Sequence, residues 1–496
     1  MTRETTSLRR WDRVRGARRS TRLRCAGAVL IAAVGSVSAP DVWAGEDHDL
    51  DLIPKDIVDD TPAPGSAPQE DHAPVPATKF YLKAFLEDAV TLPSRTRSIP
   101  VSFPSVPFAW QNRTNLDGHF QWEPVKAVTL SLSDRLSVLE ESDLSFGSRQ
   151  TVRNDFREGY LSWRASPSTY IEAGRINVRN GSALGFNPTD FFKTRTLVWQ
   201  GSVDPSSLRQ NRLGTLMIRG QRVWEGGSAS IAYAPRVARP LPITPSDPLG
   251  VEPRFSATNA AYRALCTLSA DAGEWSTQAL GYLEPQRSKL GLNVSRSLGD
   301  AVILYAEWAG GPEKNLIARA VEFGQSTGVF TASVPLLPPT RPKMLFRSDL
   351  ALGGSWTIAT KATLNLEYLF HEAGFSNQNW RDWFDMGGAA NVTPWTSSEL
   401  WYVRAYAADQ QEPETRHQVF VRIAWPQAFV KELELDALTF VNLFDGSALS
   451  QVTAAYFLSD TWTAIAYGSM NTGIARSERG SMPQAGNMVL QLQRYF

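Results

Sequence analysis

The sequence predicts an all-β fold, a single antiparallel barrel of about 18 strands that crosses a membrane, with 16 strands as the alternative. Three observations support this prediction. The apolar residues recur at strand period, the connections between strands alternate between short and long, and an export signal precedes the strand-rich region.

From residue 78 to the end of the chain, apolar side chains recur with the two-residue period of β-strands. In segments of about ten residues, apolar side chains alternate with polar or small ones, as in residues 128–133, 289–295, 363–371 and 487–493. This period of two is typical of strands, and no convincing helical pattern lies between the segments. The predicted strands begin near residues 79, 117, 126, 154, 169, 212, 228, 258, 275, 288, 301, 343, 361, 415, 433, 449, 461 and 487.

The lengths of the connections indicate which kind of all-β fold is present. Every second connection is short, and most of the others are long, among them residues 90–116, 179–210, 236–257, 310–342 and 372–414. A soluble sandwich or propeller would carry loops of similar length at both ends. A membrane barrel instead has short periplasmic turns and long extracellular loops, so the connections favour the membrane barrel.

The N-terminal segment predicts export. Residues 1–44 contain nine arginines and three acidic residues. The arginines precede an apolar stretch at residues 26–39, and a small-residue cleavage site lies just before Gly45. This pattern is a secretory signal, because residues 26–39 are too few for the roughly 20 apolar residues of a spanning helix. Residues 45–77 are acidic and rich in proline, which predicts a disordered periplasmic leader. The predicted barrel occupies residues 78–496.

The composition excludes several classes of protein. The chain has 50 basic and 50 acidic residues, so it lacks the basic excess of a nucleic-acid-binding protein. A hydrophobic content of 43% and a mean hydropathy of −0.24 exclude a bundle of many membrane-spanning helices. Two cysteines cannot form a disulfide framework or a cysteine-based zinc site. We expect no cofactor and no metal.

The last strand carries a family signature. Phe496 ends the chain, and Leu492, Leu490 and Met488 precede it at alternate positions, although Arg494 departs from the pattern. In this the chain resembles the outer-membrane barrels of Gram-negative bacteria. The resemblance implies an outer-membrane location in contact with lipid and lipopolysaccharide. It also implies recognition of the last strand, through Phe496, by the barrel-assembly machinery.

A shorter segment resembles a subgroup of these barrels. Residues 172–175, followed by Gly-Phe-Asn-Pro-Thr-Asp-Phe-Phe at 185–192, are similar to a strand and long loop of 18-stranded porin-like channels, including alginate-export-like and sugar-specific types. The resemblance implies a channel for small hydrophilic solutes and allows a homotrimer.

If the apolar rows face lipid, the opposite rows face the pore. The predicted pore-lining residues are Lys83, Glu87, Arg135, Glu158, Arg164, Arg219, Arg263, Lys289, Glu307, Arg347, Asp349, Glu367, Arg422, Glu434 and Asp436. Acids and bases are nearly balanced, whereas a strongly ion-selective filter would carry charges of one sign. The charges could act on solutes, or they could pair across the wall and make it rigid.

The loops contain a second group of candidate residues. The densest one is Trp380, Arg381, Asp382, Trp383, Phe384 and Asp385, which we predict to form a constriction or a ligand contact. The aromatic rings could stack on sugars or could instead pack the loops on one another.

The expected function is passive diffusion of small hydrophilic solutes, with sugars or organic acids as candidates. One alternative is export of an alginate-like polysaccharide. An alternative of another class is a non-conducting barrel that acts as an enzyme or a surface protein. We expect no catalysis, because His371 is the best available base and no nucleophile, zinc or phosphate-loop motif accompanies it.

Overall fold

The strands of this chain form one antiparallel sheet that closes on itself. The computed structural model describes residues 79–496, except 97–98, 104–107, 144–146, 199–201, 244–248, 251–252, 286, 331–342 and 390–391. The predicted signal and leader, residues 1–44 and 45–77, lie outside the described residues. The first strand pairs with both the second and the last, which closes the barrel. The strands are β1 (Lys79–Arg95), β2 (Trp110–Val125), β3 (Val128–Asp143), β4 (Gly147–Ser166), β5 (Thr169–Ile176), β6 (Thr215–Trp224), β7 (Gly227–Ala234), β8 (Leu249–Gly250), β9 (Arg263–Ala272), β10 (Trp275–Leu283), β11 (Lys289–Leu298), β12 (Val302–Glu313), β13 (Leu345–Thr357), β14 (Thr363–His371), β15 (His417–Trp425), β16 (Leu433–Asn442), β17 (Ala448–Ser459), β18 (Trp462–Thr472) and β19 (Gln484–Tyr495).

The wall of the barrel has 18 strands. The two-residue β8 is not part of the wall, because β7 pairs directly with β9 and β8 pairs in parallel with β4 at Val152 and Arg153. The predicted strand number of 18 is therefore confirmed, and the alternative of 16 is wrong. Two connections are shorter than predicted. The loop over residues 90–116 shrinks to 96–109 because β2 begins at Trp110, and only residues 144–146 separate β3 from β4.

The short turns lie at one end of the barrel. Glycines with left-handed backbone stand in three of them, Gly226 with φ 74°, Gly273 with φ 61° and Gly299 with φ 61°. Residues with a Cβ rarely adopt these angles, so glycine permits the tight reversal. Long connections lie at the opposite end, as the sequence predicts for an outer-membrane barrel.

The outer surface of the wall is apolar. Ile218, Ile231, Leu290 and Leu366 point away from the lumen, and 56–61% of each residue is exposed. Large apolar patches are rare on soluble monomers, whereas the outer band of a membrane barrel faces lipid hydrocarbon. The chain therefore has the surface of a membrane-spanning barrel of the outer-membrane type. Among the described residues, no helix is long and apolar enough to cross a membrane.

Exposed tryptophans mark the short-turn edge of this apolar band. Trp122, Trp163, Trp224 and Trp275 point outward near the ends of their strands. Aromatic rings prefer the boundary between lipid and water, so these residues locate the periplasmic interface.

In the described part of the connections, where the sequence pattern indicated no convincing helix, the structure has five helices. They are α1 (Pro205–Gln210), α2 (Phe255–Thr258), α3 (Leu316–Ser326), α4 (Asn377–Gly387) and α5 (Pro394–Gln410). Ser376 and Asn379 form a capping box at the start of α4, and Thr393 caps α5 ahead of Pro394. We call α3, α4 and α5 the helical cap, because the three helices share one apolar core at the long-loop end.

Candidate functional site

The connection between β5 and β6 folds into the barrel. We call residues 177–214 the inner loop, of which 199–201 lie outside the described residues. The amide of Ala183 donates to Glu307 Oε1 on β12 at 2.5 Å. The amides of Leu184 and Gly185 donate to the two carboxylate oxygens of Glu367 on β14 at 2.6 and 2.8 Å. Two buried carboxylates of the far wall therefore hold the inner loop across the lumen.

Glycines allow the inner loop to approach the wall this closely. Gly181 has a left-handed φ of 82°, and a Cβ on it would lie 2.4 Å from Glu307 Oε2. A Cβ on Gly185 would lie 2.8 Å from the Phe420 ring of β15. Because real Cβ atoms do not approach other atoms so closely, other residues at these positions would push the loop off its anchors.

Aromatic residues of the inner loop pack on the inner wall. Phe186 joins an apolar cluster with Tyr305, Leu369 and Phe420. Phe191 stacks on Tyr282 with centroids 4.8 Å apart and an interplanar angle of 13°. Such a pair contributes roughly 0.5–1.5 kcal/mol beyond burial of area. The sequence at 185–192 thus supplies both the polar and the apolar contacts of the loop.

Lys193 is a buried cation in the inner loop. Its Nζ donates to the carbonyl of Asn187 at 2.6 Å and lies 4.1 Å from the centroid of the Phe186 ring. Burial lowers the pKa of Lys193 to about 8. The residue lines a small cleft together with Asp190, Tyr282, Arg287, Asp349 and Glu412.

A buried network of alternating charges forms the wall of this cleft. Lys289 Nζ lies 2.7 Å from Asp349 and 2.9 Å from Glu313. Arg287 bridges Glu313 and Glu412. His371 Nδ1 lies 2.7 Å from Asp349 Oδ1. These opposite charges are paired with one another, so the network leaves this part of the wall nearly neutral.

The arginines of the network also set the protonation of its loop carboxylate. Glu412 lies between α5 and β15, and Arg319 of α3 contacts it at 2.5 Å. Although burial opposes the charged form, Arg319 and Arg287 hold the pKa of Glu412 well below its usual range. Glu412 therefore stays ionised at neutral pH and joins the helical cap to the wall.

The inner loop is tied to the same end of α5. Arg195 pairs with Asp409 at 3.0 Å, and Arg212 donates to the side chain of Gln411 at 2.9 Å. These contacts join the inner loop to the helical cap, although the two connections are distant in sequence.

The structure places all fifteen predicted pore-lining residues on inward-facing rows. Several pair across neighbouring strands: Glu87 with Arg113 at 2.6 Å, Arg135 with Asp117 at 2.7 Å, Arg219 with Glu172 at 2.5 Å, and Arg422 with Asp436 at 2.6 Å. Lys289 and Asp349 belong to the cleft network, and Glu307 and Glu367 anchor the inner loop. The other predicted pore-lining residues on inward-facing rows are Lys83, Glu158, Arg164, Arg263, Arg347 and Glu434.

A bulge in β4 adds charges to the inner face. The register between β3 and β4 shifts between Ser133 and Asp134, so Arg157 is the extra residue of β4, with no residue of β3 directly opposite it. Arg157 and Glu158 consequently both point inward, and Arg157 reaches Asp117 and Ser133. Simple alternation cannot predict two consecutive inward residues, because it assigns one of them to the lipid.

Sequence reasoning missed the partners of the predicted charges. Arg113 and Asp117 lie in β2, where polar Asn112 and Thr114 on the outward row remove the apolar contrast that marks a strand. Glu313 ends β12 and Glu412 lies in the connection between α5 and β15, and only the fold brings them to Lys289 and Arg287. In the part of the chain that the structure describes, no group of three His, Cys, Asp or Glu residues is arranged to hold a metal.

The predicted loop group at residues 380–385 lies on α4. Trp380, Trp383 and Phe384 are buried in the core of the helical cap, and Trp383 Nε1 donates to the carbonyl of Leu400 at 3.0 Å. Arg381 and Asp385 are exposed, Asp382 is half-buried, and Asp385 pairs with Arg476. The three rings therefore pack the loops on one another and have no free face for a solute.

Arg404 holds these rings in place. Its guanidinium lies 5.0–5.3 Å from the ring centroids of Trp380, Trp383 and Trp401. It also pairs with Glu414 at 2.8 Å and donates to the carbonyl of Glu478 at 2.9 Å. One buried arginine thus joins α4, α5 and the connection between β18 and β19.

No protein-family model matches the sequence, and no curated protein is similar to it. Solved structures with a similar fold include OccK11 (OpdR) of Pseudomonas aeruginosa, with 10% identity, coverage of 84% of this chain and 96% of that chain, and a TM-score of 0.47. They also include OccAB3 of Acinetobacter baumannii, with 9% identity, coverage of 84% and 99%, and a TM-score of 0.47. A triple mutant of the Rhodopseudomonas blastica porin shares 8% identity, with coverage of 84% and 100% and a TM-score of 0.38. At these values, no solute, partner or residue role transfers to this chain.

Proposed function

We propose that this protein is an outer-membrane channel for passive diffusion of small hydrophilic solutes, with sugars or organic acids as the solutes to test first. The observation that carries the proposal is the inner loop, which crosses a polar lumen and is held by Glu307 and Glu367. A loop held across the lumen at fixed points narrows it to a defined size, as selection of small solutes requires.

The geometry supports a simple mechanism. Solute enters the water-filled lumen and passes the space that the inner loop leaves open. Paired charges of both signs line the wall, for example Glu87 with Arg113 and Arg135 with Asp117. Such pairs offer hydrogen bonds to neutral polar solutes and create no field of one sign, so we expect weak ion selectivity.

Single-channel recording in planar bilayers tests the proposal. The double variant Glu307→Gln with Glu367→Gln keeps the size of both side chains but replaces one acceptor oxygen of each with an N–H donor. At position 367 one of the two loop amides would then face an N–H donor, and at position 307 the acceptor would lose its charge; hydrogen bonds to charged groups are worth about 1.5–3 kcal/mol each. We expect a larger and noisier conductance, because the inner loop leaves its anchors.

Glu172→Gln is the matched control. Glu172 also faces the lumen but pairs with Arg219 on the neighbouring strand. Its replacement should leave the single-channel conductance close to that of the wild type. A folded wild-type barrel that carries no current at any voltage would overturn the proposal and favour a non-conducting barrel. Conductance blocked by a long polyuronate but indifferent to small sugars and acids would favour polysaccharide export.

A further inference from the structure

The closing seam of the barrel, where β1 pairs with β19, contains a buried carboxylate. Glu87 lies on the inward row of β1, opposite Gln493 of β19 and Asn115 of β2. Only 5% of Glu87 is exposed. A buried carboxylate is unfavourable unless hydrogen-bond donors surround it. The stability of this part of the wall therefore depends on the donors around Glu87.

Each carboxylate oxygen of Glu87 accepts hydrogen bonds from a different neighbouring strand. Oε1 accepts from Arg113 and Asn115 of β2, at 2.6 and 2.9 Å. Oε2 accepts from Gln491 and Gln493 of β19, at 3.1 and 3.3 Å. One side chain thus joins three strands on the lumen side of the seam.

The two sets of donors reach Glu87 at different stages of folding. The donors of β2 lie 26 and 28 positions away in the sequence, so a local hairpin brings them to the carboxylate. The two glutamines of β19 lie 404 and 406 positions away. Contacts between such distant segments carry a larger entropy cost of loop closure and form late. Before the barrel closes, Oε2 of Glu87 therefore lacks these two donors.

The spacing of the glutamines also distinguishes the native register from its nearest alternatives. A slip of two residues keeps the apolar side chains on the lipid side, so the alternation of faces does not oppose it. In the native register Gln493 lies opposite Glu87, and Gln491 lies two residues nearer the long-loop end. A slip in one direction replaces Gln491 by Val489, and a slip in the other replaces Gln493 by Tyr495. Each slip therefore leaves one amide at these two positions, where the native register has two.

We infer that Glu87 is the closure latch of the barrel, which fixes the register in which the last strand joins the first. In the closed barrel, the carboxylate has donors on both sides. In an open or slipped seam, Oε2 loses one or both of the donors that Gln491 and Gln493 supply. The inference concerns formation of the wall and requires no current through the lumen, so it stands or falls separately from the proposed function.

Cysteine cross-linking across the seam measures both closure and register. Val90 and Leu490 are direct partners on the lipid side, so Val90→Cys with Leu490→Cys reports the native register. Val90→Cys combined with Met488→Cys or with Leu492→Cys reports the two slips. Both natural cysteines are replaced by serine in every chain. A lipid-soluble oxidant, added at intervals while the chain refolds into lipid vesicles, gives the rate of each cross-link.

The variant Gln491→Met with Gln493→Met keeps the length of both side chains and removes both donors to Oε2. We expect the native cross-link to form at least fivefold more slowly and the slipped cross-links to rise at least threefold, because the latch no longer favours the native register. Gln278→Met with Asn293→Leu is the matched control. These two inward amides are hydrogen-bonded to each other at 3.0 Å across β10 and β11, away from the seam. Their replacement should leave the seam cross-links unchanged.

A second cysteine pair reports whether the rest of the wall has formed. Ala279 and Leu292 are direct partners on the lipid side of β10 and β11. The cross-link of Ala279→Cys with Leu292→Cys should form at the wild-type rate in the Gln491→Met, Gln493→Met chain. An unchanged rate and register at the seam of that chain would overturn the inference. So would equal slowing of the two cross-links, because the glutamines would then support folding of the whole wall and not its closure.

Discussion

At the scale of single residues, Lys193 is a group of the inner loop through which pH can act on the lumen. It is buried against Phe186, and its Nζ donates to a backbone carbonyl of the inner loop. Its lowered pKa of about 8 means that it is charged at pH 7 and loses its charge as the pH rises through 8. An exposed lysine would keep its charge to above pH 10.

Ion selectivity should therefore depend on pH through this residue. Loss of a positive charge beside the solute path favours cations, so the reversal potential in a KCl gradient should move toward cation selectivity between pH 7 and pH 9.5. In Lys193→Met this movement should be largely absent. Lys314→Met removes a lysine that pairs with Glu322 near the helical cap, and it should behave as the wild type. Equal shifts in Lys193→Met and the wild type would show that the path does not sense Lys193.

At the scale of elements, strands could be predicted from the sequence and the packing of the loops could not. A strand next to lipid shows its alternation locally, as β14 and β19 do, because one face meets hydrocarbon and the other meets water. The contact between Ala183 and Glu307 leaves no such local pattern, since its two partners are far apart in sequence. Aromatic density at Trp380–Phe384 indicated a candidate constriction, but equal density is found in a buried core, and α4 uses it as a core.

The helical cap should be able to lose its structure without loss of the barrel. Trp383 is fully buried among residues of α4 and α5, so Trp383→Ala should cost the cap about 3–5 kcal/mol. Limited proteolysis should cut residues 377–410 much faster in this variant, while the barrel keeps its heat-modifiable mobility. Trp395→Ala provides the comparison, because Trp395 is 71% exposed on α5 and should tolerate truncation. Similar cleavage rates in the two variants would show that Trp383 does not hold the cap together.

At the scale of the whole molecule, one rule of strand geometry makes both surfaces. Successive side chains point to opposite faces, so each strand contributes one row to the lipid and one to the lumen. In a few places the sequence does not show this alternation, and the start of β2 is one of them. The start of β2 was missed because Asn112 and Thr114 face outward, where both donate to Asp88 of β1. A polar cluster on the outward face thus removes the apolar contrast by which the sequence marks a strand.

The assignment of lipid-facing and lumen-facing rows can be tested on a single strand, β11. Leu292 points outward and is 46% exposed, whereas Ser295 lies three residues further on the inward row. An arginine on the lipid face near the middle of a bilayer costs about 2–4 kcal/mol, while an arginine in a polar lumen costs far less. We therefore expect Leu292→Arg to lower the free energy of unfolding in lipid vesicles by about that amount, and Ser295→Arg to leave it nearly unchanged.

Reversible guanidinium titration followed by tryptophan fluorescence measures this difference, because the chain has 16 tryptophans. In channel recordings, we expect the two variants to differ in the opposite order. Ser295→Arg adds a charge to the lumen and should move the reversal potential toward anion selectivity, whereas Leu292→Arg should not. If Ser295→Arg were the more destabilising variant and Leu292→Arg the one that changed selectivity, the two faces would be exchanged. The inner loop and the paired charges would then be assigned to the wrong side of the wall.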